Sequence, residues 1–149
     1  MACVTQGARA QLRMRGEKMM RTVKDVEAYL GRMSRHFEAV EAQPGTFVVQ
    51  SSPNLPPIAV RVDPPLVVLR AHVGDLAAVD HVALLRRLLT LNARSLVHAS
   101  YGLDEHRIVL SCALELENLD YNELEAALEE IEMALSAQVP ELSKLAKES

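Results

Sequence analysis

Tryptophan is absent from this chain, and aromatic residues make up only 3% of it. Base stacking, the usual platform for single-stranded nucleic acid, has little to draw on, so aliphatic side chains must build the core. Cysteine is nearly missing as well. Cys3 and Cys112 lie far apart, which supplies neither a disulfide framework nor paired metal-ligand spacing and suits a reducing cytoplasm. No apolar run approaches the roughly 18 residues needed to span a bilayer, and the first twenty residues lack the apolar stretch of a secretory signal. Membrane insertion is therefore not expected. The six glycines are scattered, with no Gly-x-Gly-x-x-Gly, no Walker-type loop and no Gly-x-Ser-x-Gly elbow, which removes the usual phosphate cradle and the strained nucleophile turn.

What is present is half apolar and sharply divided in charge. The 149 residues fit one domain, and 49% of them are hydrophobic, enough for one good core at this length. Residues 1–21 carry Arg9, Arg13, Arg15, Lys18 and Arg21 against Glu17, a balance of +4; residues 22–114 are neutral; residues 115–149 stand at −8. A basic arm of this size without a structured groove binds phosphates weakly at most, so nucleic acid is not an expected partner. Residues 1–21 are read as an unstructured arm and residues 22–149 as a single α+β domain.

The domain starts at Thr22. Thr22 and Asp25 have the spacing of a capping box, and Val23, Val26, Leu30, Met33, Phe37 and Val40 follow at steps of three and four, which predicts one helix to about Gln43, where Pro44 and Gly45 stop it. Phe47 to Val49, Ile58 to Val62 and Leu66 to Val73 read as three strands separated by Pro- and Ser-rich turns, the third stopping at Gly74, and short links favour an antiparallel meander. Asp80 is a plausible N-cap for a leucine-rich second helix ending near Ala93 or Arg94. Leu96 to Ser100 is expected as a fourth strand, with Tyr101 to Glu105 as a turn. Ile108, Leu110, Cys112, Leu114 and Leu116 then alternate as the core face of a fifth. Asp120 and Glu123 cap a last helix expected to end near Ala137, ahead of Pro140. The order is helix, three-stranded antiparallel meander, helix, two strands, helix.

The second helix has more apolar arc than one contact with a sheet requires. Val82, Leu85 and Leu89 are assigned to the sheet, and Leu84, Leu88 and Leu91, on successive turns, to an outward interface.

Nothing in the sequence resembles a catalytic constellation. The five histidines, His36, His72, His81, His98 and His106, show no His-x-x-x-His spacing and no neighbouring cysteine pair, so neither a metal nor a cofactor is expected. Cys112 lies between Leu110 and Leu114 on an apolar strand face, where burial suppresses the thiolate a nucleophile needs. No enzyme activity is expected.

Within LLRRLLTLNARSLVHASYGLDEHRIVLSCALELENLDYNELEAAL, residues 84–128, a leucine-rich helix ends in Leu91-Asn92. A Gly-Leu-Asp turn, an apolar strand and a Leu-Asp helix start follow. With the order of elements, this resembles the type III secretion chaperones of the Tir-chaperone (CesT-like) family and the related YbjN-like proteins. The resemblance implies a homodimer with the second helix at the twofold, using Leu84, Leu88 and Leu91. It also implies apolar strand positions that hold extended segments of a client protein, here on the strands bearing Val48, Ile58, Val60 and Val68. The expected function is a cytoplasmic, non-enzymatic, chaperone-like protein-binding module. A YbjN-like adaptor or regulator with a signalling or stress-response partner is equally compatible.

Overall fold

The computed structural model describes residues 19–76 and 81–147. Its elements are α1 (Val23–Arg32), β1 (His36–Ala39), β2 (Thr46–Gln50), β3 (Ile58–Asp63), β4 (Leu66–Asp75), α2 (Val82–Arg94), β5 (Ser100–Asp104), β6 (Arg107–Glu115) and α3 (Tyr121–Lys147). The strands form one antiparallel sheet in the order β1-β2-β3-β4-β6-β5. The three helices among the described residues contribute to a single aliphatic core. Val26 and Leu30 come from α1, Leu84, Leu88 and Leu91 from α2, and Leu124, Leu128, Ile131 and Leu135 from α3. The opposite face of the sheet carries the exposed Arg61, Arg70, His72 and Ala113, as expected of an antiparallel sheet covered on one side.

The α1 start is as read: the Thr22 hydroxyl accepts from the Asp25 N–H and the Asp25 carboxylate accepts from the Thr22 N–H at 2.8 Å. Its end is not. The helix stops at Arg32, and Met33 turns extended at φ −82° and ψ 147°. Phe37, whose spacing continues the helical pattern, sits instead in the edge strand β1, where its ring meets Phe47 edge-on at 6.1 Å. The meander therefore has four strands rather than three. A clamp between Arg35 and α3 fixes the departure: its guanidinium spans the two carboxylate oxygens of Glu132 at 2.6 and 2.9 Å, the bidentate geometry of a strong ion pair. Arg32 stacks over the Tyr121 ring at 4.1 Å, a second tie between the same two segments.

The structure differs from the sequence pattern in four further places. β4 continues through Gly74 to Asp75, with a register irregularity between His72 and Gly74. β5 begins at Ser100, so Tyr101 to Asp104 are strand and the turn is Glu105 and His106, with Glu105 at φ 56°. Pro140 does not end α3, which runs 27 residues to Lys147, about 40 Å at 1.5 Å per residue. Beyond the proline, burial of Leu142 and an ion pair of Arg87 with Glu141 at 2.8 Å tie the last turns to the body. Finally, residues 19–21 are not part of a free arm: Met20 bridges Glu117, the Arg21 N–H donates to the Leu116 carbonyl, and the Asn118 N–H donates to the Met19 carbonyl. The rest of that arm, residues 1–18, and the expected cap Asp80 lie outside the described residues.

Candidate functional site

The two apolar faces of α2 are the reverse of the expectation. Leu84, Leu88 and Leu91 are 3%, 4% and 3% exposed, buried in the chain's own core, whereas Val82 and Leu89 are 55% and 69% exposed, with Leu85 half-buried beside them. Helical periodicity fixes the angle between two stripes but not which one meets the sheet. The outward stripe is flanked by Arg86 and Arg94, which have no ion pair among the described residues. Arg87 points elsewhere, to Glu141 on α3.

The strand residues divide by the two-residue alternation of the pleat. Ile58 and Val60, at 1% and 0% exposed, lie under the helices and cannot meet a client, which corrects their assignment. Val48 and Val68 are half-buried on the open face. Cross-strand register sets Val48 beside Ala59, and Val68 between Arg61 and Ala113. With Leu66, 36% exposed, these make a shallow apolar strip that crosses the sheet diagonally, with Arg70 beside Ala59 and Arg61 beside Val68. Arg70 and Arg107 both contact Asp104, at 3.3 and 3.2 Å, whereas Arg61 has no ion pair among the described residues.

The sheet has two edges. On β1, Val40 donates its N–H to the Thr46 carbonyl. Alternation along an antiparallel ladder therefore points the Phe37 and Ala39 peptides away from β2. On β5, the corresponding outward peptides are those of Tyr101 and Leu103.

Polar groups elsewhere are engaged in structure. Glu130 of α3 accepts from the N–H groups of Val97, His98 and Ala99 at 2.8, 3.0 and 3.4 Å and touches the His98 ring at 3.1 Å. Partial burial works to raise its carboxyl, but these donors outweigh it and hold it below the ordinary carboxylate range. The Tyr101 hydroxyl donates to Gln138 at 2.5 Å, and burial pushes it up to about 12. Cys112 is 5% exposed; burial, then the Glu130 charge, raises its thiol, the opposite of an activated nucleophile. His36 and His72 contact Glu38 and Asp75, and His81 is buried. Among the described residues no cluster of three or more His, Cys, Asp or Glu could hold a metal ion, and no helix is long and apolar enough to cross a membrane. What the surface offers is contact: an open sheet face, strand edges and the outer stripe of α2.

Comparison with known proteins identifies the family and the fold. The CesT_Tir_1 family model matches residues 19–148. No curated protein matches the sequence. Among solved structures, the heterodimeric ExoU–SpcU complex from the type III secretion system of Pseudomonas aeruginosa is similar, with a TM-score of 0.56 and 17% identity over 74% of this chain and 89% of that one. YbjN from E. coli, described as a candidate transcription regulator, has a TM-score of 0.62 and 13% identity, covering 80% of this chain and 92% of its own. The HopA1–SchA chaperone–effector complex has a TM-score of 0.54 and 15% identity, covering 79% of this chain and 90% of that one. At these identities the likeness is one of fold.

Proposed function

Because the chain belongs to the CesT_Tir_1 family, we propose that it is a non-enzymatic, chaperone-like module that works in the cytoplasm as a dimer and holds extended segments of a client protein. The observation that carries this reading is the sheet face that no described helix covers, where Val48, Ala59 and Val68 are only half-buried. A poorly folded client lays alternate side chains into such a strip and adds its backbone to a free edge, and the entropy lost on ordering keeps the contact reversible. The β1 edge, with the Phe37 and Ala39 peptides directed outward, lies one strand away from Val48. No nucleotide is required for binding of this kind.

The dimer is assigned to the outer stripe of α2, with Val82, Leu85 and Leu89 replacing the buried leucines. The fold likeness to YbjN supports a second reading, an adaptor for a regulatory partner, which uses the same surface with a folded protein in place of a loose segment. Capture from the cell's own extract, repeated with Val68→Glu and Val48→Glu, tests both. A client holder loses its partner in both variants, and the captured protein is bound through a protease-sensitive segment. Undiminished capture by both variants would remove the open face from the proposal, and a protease-resistant folded partner would favour the adaptor.

A further inference from the structure

β5 is a sheet edge, yet one of its outward peptides is already occupied. The Asn92 carboxamide, at the end of α2, accepts from the Tyr101 N–H at 2.7 Å and donates to the Tyr101 carbonyl at 3.0 Å. A carboxamide presents one donor and one acceptor side by side, the same pair a residue on a neighbouring strand would present. Tyr101 is therefore bonded as though another strand lay beside it. Ser100 and Gly102, the alternate residues, belong to the ladder with Ser111 and Val109 of β6. Leu103, 48% exposed, is the other outward residue, and a single free peptide cannot hold a strand.

We infer that Asn92 is an edge guard: its side chain stands in for a strand at Tyr101 and closes β5 to strand addition by a client segment or by a second copy, leaving β1 as the receptive edge. The closure of β5 follows from the Asn92 geometry alone; only the role given to β1 rests on the client-holding reading. Exposed edges invite pairing with other chains, and proteins blunt them with charge, proline, bulges or covering elements. Here one carboxamide, held in place by the helix that ends beside it, does this.

The guard has a specific consequence. Two β5 strands pairing antiparallel about a twofold at Gly102 would set Tyr101 of one copy against Leu103 of the other as the hydrogen-bonded pair. The two Gly102 residues would then face each other as a non-hydrogen-bonded pair with Cα atoms about 4.5 Å apart, within reach of a disulfide. A Cβ on Gly102 meets nothing within 4 Å, so Gly102→Cys is tolerated.

In a Cys3→Ser background, Gly102→Cys with and without Asn92→Ala is oxidised by oxidised glutathione, each cross-link releasing two reduced glutathiones. Added Asn92→Ala is expected to speed formation of the intermolecular cross-link at position 102 at least tenfold. Equal rates in two folded proteins would overturn the inference. If Asn92→Ala does not fold, amide exchange in the unmodified chain decides the matter. The Tyr101 amide should exchange at least tenfold more slowly than Leu103, its neighbour on the same edge, and equal exchange would show that Tyr101 is not guarded.

Discussion

Single side chains on α3 hold the irregular parts of this molecule in place. Glu130 collects three consecutive backbone N–H groups of the segment before β5, a segment with no ladder of its own. Hydrogen bonds to a charged acceptor contribute about 1.5–3 kcal/mol each when both partners are well held, and partial exposure of this carboxylate discounts that. Glu130→Gln is expected to cost about 1–2 kcal/mol in urea unfolding. The pH dependence follows from its lowered pKa. The stabilisation is fully present above the ordinary glutamate value of about 4.3 and is lost as pH falls through the lower folded value. Between about pH 5 and pH 3 the loss of stability should accordingly be shallower in Glu130→Gln than in the parent. A parallel decline would mean that the carboxylate charge does not hold the loop. Cys112, buried on the core face of β6 with its thiol raised, should react with iodoacetamide at pH 7 at least tenfold more slowly than in urea. Equal rates would place it at the surface.

At the scale of elements, the two stripes of α2 separate stability from association. Leu88 is 4% exposed, and Leu88→Ala should cost about 2–5 kcal/mol, the range for a buried leucine truncated in a close-packed core. Leu89 is 69% exposed, and Leu89→Glu should leave folding stability within about 0.5 kcal/mol once the protein is dilute while lowering its mass in solution. Measured by urea unfolding and light scattering, the reverse pattern would restore the original assignment of faces. That assignment shows where sequence was legible. Local signals held: the capping boxes at Thr22 and Asp120, the alternation of β3 and, apart from the buried Val109, of β6, and the type and order of most elements depend on neighbours in the chain. What failed depends on distant partners. β1 is made strand by its pairing with β2 and by Arg35 reaching Glu132, 97 residues away. β5 starts late because Glu130 and Asn92 take the peptides on either side of its first residue. The same limit mixed buried and open positions among the four valine and isoleucine sites: Ile58 and Val60 alternate with Ala59 and Arg61, but neither periodicity nor composition states which side the helices take. Gly31, close to the true end of α1, was the one local hint that the first helix is short.

For the molecule as a whole, the outer stripe of α2 makes an unusual demand on self-association. α2 carries Arg86, Arg87 and Arg94 and no acidic residue, and among the described residues only Arg87 is neutralised, by Glu141. An isologous contact lays a surface on its own image, so two copies meeting through Val82, Leu85 and Leu89 bring like charges together around an apolar seam. Apolar burial favours the pair and charge opposes it, and only the second term is strongly screened. Raising sodium chloride from about 0.01 M to about 1 M shortens the Debye length from about 30 Å to about 3 Å. The dimer should therefore tighten with salt, contrary to the weakening expected of an interface held by exposed ion pairs. Sedimentation equilibrium follows this directly, as a rise in mass from that of the 16.4 kDa chain toward twice that value. Arg86→Ala with Arg94→Ala should tighten the dimer at low salt and leave it little changed at high salt. A dimer that loosens as salt rises, or one indifferent to both arginines, would place the twofold on a different surface, and a monomer under all conditions would remove the dimer from the proposal.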